Sequence, residues 1–132
     1  MKSIGFKFCS ALVWALLVAQ SVNAGEISVI SNSGTTVSAG EVKDIFLGEK
    51  QFAGSTKLIP IDNASAQDAF LSKFIKMDST KYNGIWTKKS FRDGLNPPAV
   101  KSSDAEVVEF VKRTPGAVGY VGGSPAGVNI IK

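Results

Sequence analysis

Two short polar stretches carry the residue types that could hold an anion. The first is Asn32-Ser33-Gly34-Thr35-Thr36 and the second is Asp62-Asn63-Ala64-Ser65. Serine and threonine hydroxyls and free loop N–H groups donate to anions, and a helix N-terminus adds a positive partial charge. Ser33, Gly34, Thr35, Thr36 and Ser65 are therefore the candidate ligand-binding residues. Each stretch also has a plainer reading. Ser, Gly and Thr are common in solvated loops. Asn63 or Ser65 suits a helix N-cap, where a side-chain oxygen accepts an orphan N–H.

Other chemistry is poorly supplied. The sequence has no histidine, so it has no Ser-His-Asp triad and no imidazole base. Cys9 is its one cysteine and lies near the N-terminus, so zinc and redox centres lack good ligands. Asp62 and Asp68 flank a helix start, where a cap and a first-turn acid account for them without catalysis. The expectation is a binding protein rather than an enzyme, with no catalytic residues, no cofactor and no metal.

The first 24 residues read as an address. Lys2 and Lys7 form a basic region, Ala11 to Ala19 an apolar run, and Val22-Asn23-Ala24 a small-residue cleavage site. The apolar run is shorter than the ~20 residues a membrane span needs. The expected organisation is a signal peptide over 1–24, cut before Gly25, and one domain over 25–132, placed in the periplasm. Without Lys2 and Lys7 the formal charge falls from +4 to +2, too small to suggest nucleic acid as a partner. The basic pairs Lys88-Lys89 and Lys112-Arg113 suit solvated helix faces. The domain has no cysteine, so packing alone must stabilise it.

The elements that must position the candidate loops follow from pattern. Residues 26–31 alternate and are β-branched, which predicts a strand. Ser38 to Glu41 has the spacing of a capping box. Val42, Ile45 and Phe46 share a helical face that Gly48 stops. Lys57 to Ile61 predicts a strand whose Pro60 suits an edge or an end. Ala66, Phe70, Phe74 and Met77 can share a face of the next helix. Asp78-Ser79 opens another helix, carrying Tyr82, Ile85 and Trp86, and Phe91 to Pro98 reads as a loop. Ser103 to Glu106 is a second capping box, before Val107, Val108 and Val111. Ala117 to Val121 and Val128 to Ile131 predict the last strands. Phe46, Phe70, Phe74 and Phe110 are core candidates, and Tyr82, Trp86 and Phe91 belong to the core or its rim. The order β-α-β-α-α-α-β-β predicts an α/β lobe with a mixed sheet and flanking helices.

Several of these segments also carry a resemblance. Val42-Lys43-Asp44-Ile45-Phe46-Leu47-Gly48-Glu49-Lys50, Ile85-Trp86, Phe91, Gly94, Pro97-Pro98 and Thr114 to Val121 occur in an order that resembles one lobe of the periplasmic phosphate-binding proteins of ABC transporters. The resemblance implies a single lobe of a type 2 periplasmic-binding-protein-like fold. It implies a solute-binding protein related to phosphate transport, binding inorganic phosphate or a similar small anion. Its implied partners are a membrane permease or a second lobe-like chain. The family's Arg-x-x-x-Ser-Gly-Thr pattern falls on Asp62-Asn63-Ala64-Ser65-Ala66-Gln67. Asp62 stands at the arginine position, where it would repel phosphate, and Ser65 alone keeps a hydroxyl. The alternative is a non-transport interaction module that has lost the ligand site.

Overall fold

The computed structural model describes residues 26–131. The signal peptide expected over 1–24 lies outside the described residues. Five strands form a mixed sheet in the order β5-β4-β6-β1-β7, with a separate two-stranded hairpin. Strand β1 is Ile27–Ser31, β4 is Ile59–Asn63, β5 is Ala99–Lys101, β6 is Ala117–Gly122 and β7 is Asn129–Ile131. The hairpin pairs β2, Phe52–Ala53, with β3, Thr56–Lys57. Strand β4 runs parallel to both β5 and β6, while β1 runs antiparallel to β6 and β7. The mixed sheet and flanking helices match the expected class. The hairpin and β5 were not expected; both are too short to show a period.

Helices cover both faces of the sheet, so its central strand is apolar on both sides. Along β6, Val118 and Tyr120 face a layer built from three helical segments. These are α1, Val42–Phe46; α2, Gln67–Phe70; and α3, Ser79–Asp93. Ala117 and Val121 face the opposite side, against Val107 and Val111 of α4, Asp104–Arg113. Gly119 lies between them, and a Cβ there would come within 2.7 Å of Val107 Cγ1. The missing side chain lets α4 lie directly on the strand.

The helix ends follow local chemistry. Asp78 caps α3 by accepting the Lys81 N–H at 2.8 Å. Ser103 accepts the Glu106 N–H at the start of α4. Before α1, the Glu41 carboxylate reaches back to the Ser38 N–H at 2.9 Å. After α1, Gly48 takes φ +78°, and a Cβ there would lie 2.9 Å from the Trp86 ring. The stop thus meets two demands, a left-handed turn and close approach to an indole.

Four expectations need correction. Helix α3 runs to Asp93, so the loop begins at Gly94 and Phe91 is helical. The Phe91 ring is 96% exposed and belongs to neither core nor rim. The strand expected from Lys57 to Ile61 runs Ile59–Asn63, which leaves Pro60 near a strand end as expected, though in a strand flanked on both sides. Ile59 donates its N–H toward β6, to Gly116 O at 2.8 Å, so the donor that Pro60 lacks would point toward β5. Pairing with β5 starts only at Ile61, so no ladder bond is lost. Finally, the α2 segment continues as a π-helical turn over Leu71–Ile75. The wider turn buries Phe70, Leu71 and Ile75 and leaves Phe74 and Met77 partly buried.

Candidate functional site

The two candidate loops sit at opposite ends of the sheet. Ser31 and Pro60 both stand level with Val118, so the loop after β1 lies at the start of β4 and β6. From Pro60 to Asn63 the strand climbs about 10 Å. Asn63 and Ser65 therefore emerge at the other end, and the two loops cannot share one small ligand.

The loop after β4 is tied into an acidic network. Asn63 Oδ1 accepts the Ser65 N–H at 3.0 Å and the Ser65 hydroxyl at 2.6 Å. The Ser65 hydroxyl also lies 3.2 Å from Asp104 Oδ1. Asn63 Nδ2 donates to Asp104 Oδ1 at 2.7 Å and to Tyr120 O at 2.9 Å. Asp104 Oδ2 accepts the Gly122 N–H. The single Ser65 proton is thus surrounded by acceptors, and the carboxylate beside it is repulsive to an anion. Neither Asn63 nor Ser65 caps α2; the N-cap position is Ala66, with no side-chain bond.

Asp62 does not face that loop. Its carboxylate is buried on the side of the sheet covered by α1, α2 and α3, where Oδ1 accepts the Tyr120 hydroxyl at 2.7 Å and Oδ2 the Tyr82 hydroxyl at 2.9 Å. Strand alternation explains the placement, since Asp62 points opposite to Asn63. Burial pushes the Asp62 carboxyl above the ordinary carboxylate range, while hydrogen bonds from Tyr120, Tyr82 and Gln67 pull it back. Both tyrosines are pushed up, first by burial and then by the nearby Asp62 charge, so they stay protonated and donate. The Tyr120 ring stacks on Phe70 at 3.8 Å, and Phe46 meets Phe70 edge-on at 4.8 Å. The expected repulsion between Asp62 and a loop-bound phosphate therefore does not arise from Asp62. At that end of the sheet it arises from Asp104.

The loop after β1 is shaped by two asparagines. Asn32 Nδ2 donates to the carbonyls of Val111 and Lys112, at the end of α4. Asn32 Oδ1 accepts the Gly34 N–H at 2.9 Å. Asn129 Nδ2 lies within 3.3 Å of the Asn32, Ser33 and Thr35 carbonyls. Thr35 is buried, and its hydroxyl oxygen accepts the Gly116 N–H at 2.8 Å. Thr35 therefore holds the loop to the start of β6. Ser33, Gly34 and Thr36 are exposed. Gly34, Thr35 and Thr36 border a shallow depression of about 410 Å³, shared with Lys50, Gly54 and Thr56. Lys50 pairs with Glu41 across 3.2 Å. The backbone N–H of Ser38 and the Lys50 ammonium hold the Glu41 carboxyl below its usual range. Lys50 and Thr56 carry no local signal in sequence; the hairpin brings them to the loop.

The geometry defines an α/β lobe with a polar, lysine-bearing depression at one end of its sheet. Neither a protein-family model nor a characterised protein sequence matches the chain. Solved structures do. PstS from Borrelia burgdorferi is similar with a TM-score of 0.57 and 21% identity, over 80% of this chain and 46% of that one. An ABC-type phosphate transport receptor from Vibrio cholerae is similar with a TM-score of 0.52 and 13% identity, over 81% of this chain and 45% of the receptor. At such identities the likeness is one of fold, and this chain spans under half the length of either structure.

Proposed function

We propose that this chain is an exported solute-binding lobe for inorganic phosphate or a similar small anion, related to the binding component of ABC phosphate transporters. The observation that carries the reading is the depression bordered by Gly34, Thr36, Lys50 and Thr56. It offers two hydroxyls, exposed loop backbone and the Lys50 ammonium, which an anion would share with the one lining carboxylate, Glu41. The fold shared with two phosphate-transport proteins supports the same ligand class. Export to the periplasm rests on the basic, apolar and small-residue order of residues 1–24. The role is binding, not catalysis: the sequence holds no histidine.

A phosphate held here faces water on its open side, so each hydrogen bond competes with solvent. A lobe of this size works best against a second wall, supplied by a second lobe-like chain or a membrane permease. Affinity of the lone chain is therefore low, in the millimolar range. Calorimetric titration with inorganic phosphate tests the reading. The expected result is weak, salt-sensitive binding that Lys50→Ala abolishes; unchanged binding in Lys50→Ala overturns the assignment of the site.

A second reading has its own support. Phe91 is 96% exposed and Val100 60% exposed, as in a lobe whose surface meets a protein partner. In that case the chain is an interaction module that no longer binds a ligand, and phosphate gives no heat.

A further inference from the structure

A second cleft lies beside the first, between the end of α1, the hairpin, the start of β4 and the turn after α3. Its volume is about 250 Å³. Ile45, Leu58, Pro60 and Leu95 give it an apolar floor, and the Trp86 indole forms one wall. The indole is fixed rather than free. Its N–H donates to Phe46 O at 3.0 Å, and its far edge packs under Gly48. Lys50 and Lys57 stand in the lining, which contains no carboxylate. Among the described residues Lys57 forms no ion pair. Its neighbour Leu58 is buried, and the Leu58 N–H donates to Gln51 O at 2.8 Å, which fixes the backbone next to Lys57.

We propose that this cleft binds a small monocarboxylate with a flat apolar body, of the benzoate class. The argument is one of matched surfaces. Lys50 is already paired with Glu41, whereas Lys57 has no ion-pair partner among the described residues and no acid lines the cleft, so its ammonium calls for an anion. Pro60 and Leu95 are the partly exposed apolar residues of the floor, beside the buried indole, and they call for a body that leaves water readily. A phosphate dianion fits the charge but not the floor, because a dense charge on apolar surface loses its hydration without replacement. A monocarboxylate keeps its charged end at the lysines and buries the rest.

Trp86 reports on the cleft directly. In the full chain carrying Trp14→Phe, Trp86 is the one remaining indole. Benzoate should change its fluorescence saturably. Lys57→Ala should weaken that response by roughly threefold or more, the range set by a partly exposed charge pair. Thr36→Val, outside the cleft, should leave the benzoate response intact, which separates this site from the phosphate depression even though Lys50 borders both. Benzyl alcohol, the neutral counterpart, should bind more weakly. Lys57 is exposed, so its variant should melt like the parent and a folding defect is not in question. A response that fails to saturate, one unchanged by Lys57→Ala, or equal binding of benzyl alcohol overturns the proposal.

Discussion

Tyr120 donates its hydroxyl to Asp62 Oδ1 at 2.7 Å, across two neighbouring parallel strands in the centre of the sheet. Tyr82 completes the arrangement from α3, donating to the other carboxylate oxygen. Both oxygens of a buried acid are thus bonded, yet among the described residues no cation pairs with it. Hydrogen bonds offset only part of the desolvation that a charge suffers there.

Asp62 should make stability fall as pH rises. Its folded carboxyl lies above the ordinary value of 3.8, chiefly through burial. A raised carboxyl contributes fully below the unfolded value and loses its contribution as pH climbs through the folded one. Melting temperatures of the parent and of Asp62→Asn, taken from pH 4 to 8, should diverge, with the parent losing stability relative to the variant. Parallel curves would show that Asp62 titrates as if exposed.

Tyr120→Phe should destabilise the fold by about 1–3 kcal/mol, because it removes a donor and leaves a buried carboxylate oxygen short of a partner. The ring stacking on Phe70 is retained, so the loss isolates the hydroxyl. In urea unfolding, the double variant Tyr120→Phe with Asp62→Asn should lose less than the two single losses added together. Strict additivity would mean the two groups do not interact.

Trp86→Ala and Phe91→Ser should behave oppositely. Trp86 is 6% exposed and bonds to Phe46 O, so its truncation should cost about 3–5 kcal/mol. Phe91 is 96% exposed, and its replacement should stay within about 0.5 kcal/mol. A loss at Phe91 comparable with that at Trp86 would place its ring against something, which the interaction-module reading allows only in a complex.

Gly119→Ala should cost about 1–3 kcal/mol by overpacking. The added methyl would sit 2.7 Å from Val107 Cγ1. Val107→Ala in the same chain should recover part of that loss by making room. No recovery in thermal melts would point to backbone strain instead of crowding.

Much of this fold was legible in local pattern. The capping residues Asp78 and Ser103, the stop at Gly48 and the apolar faces of α1 and α4 are short-range chemistry, and each appears where the pattern places it. Strand β5 and the β2–β3 hairpin were not legible, because two or three residues carry no period and their pairing is set by the fold. The π-turn at Leu71–Ile75 shifted the buried face by one residue, which a 3.6-residue period cannot anticipate. The first candidate stretch is a loop, but of the second only Ala64 and Ser65 are, since Asp62 and Asn63 end strand β4. The opposite positions of the two stretches depend on β1 running antiparallel to β6, a fact of topology. Thr35 read as a ligand residue because hydroxyl type is visible and its bond to Gly116, 81 positions away, is not. Asp62 read as a helix-start acid facing the ligand loop for the same reason, since its tyrosine partners are 20 and 58 positions distant.

The central claim is that the anion site lies at the β1 end of the sheet, not at the β4 loop. Nitrogen–proton NMR spectra of the chain, recorded during titration with inorganic phosphate, test it most directly. The account predicts fast-exchange shifts of the Gly34, Thr36 and Lys50 amides with a millimolar Kd, while Ser65 and the Asp104 amide stay still. The shifts should vanish in Lys50→Ala. Shifts centred on Ser65, or micromolar binding indifferent to Lys50→Ala, would contradict it.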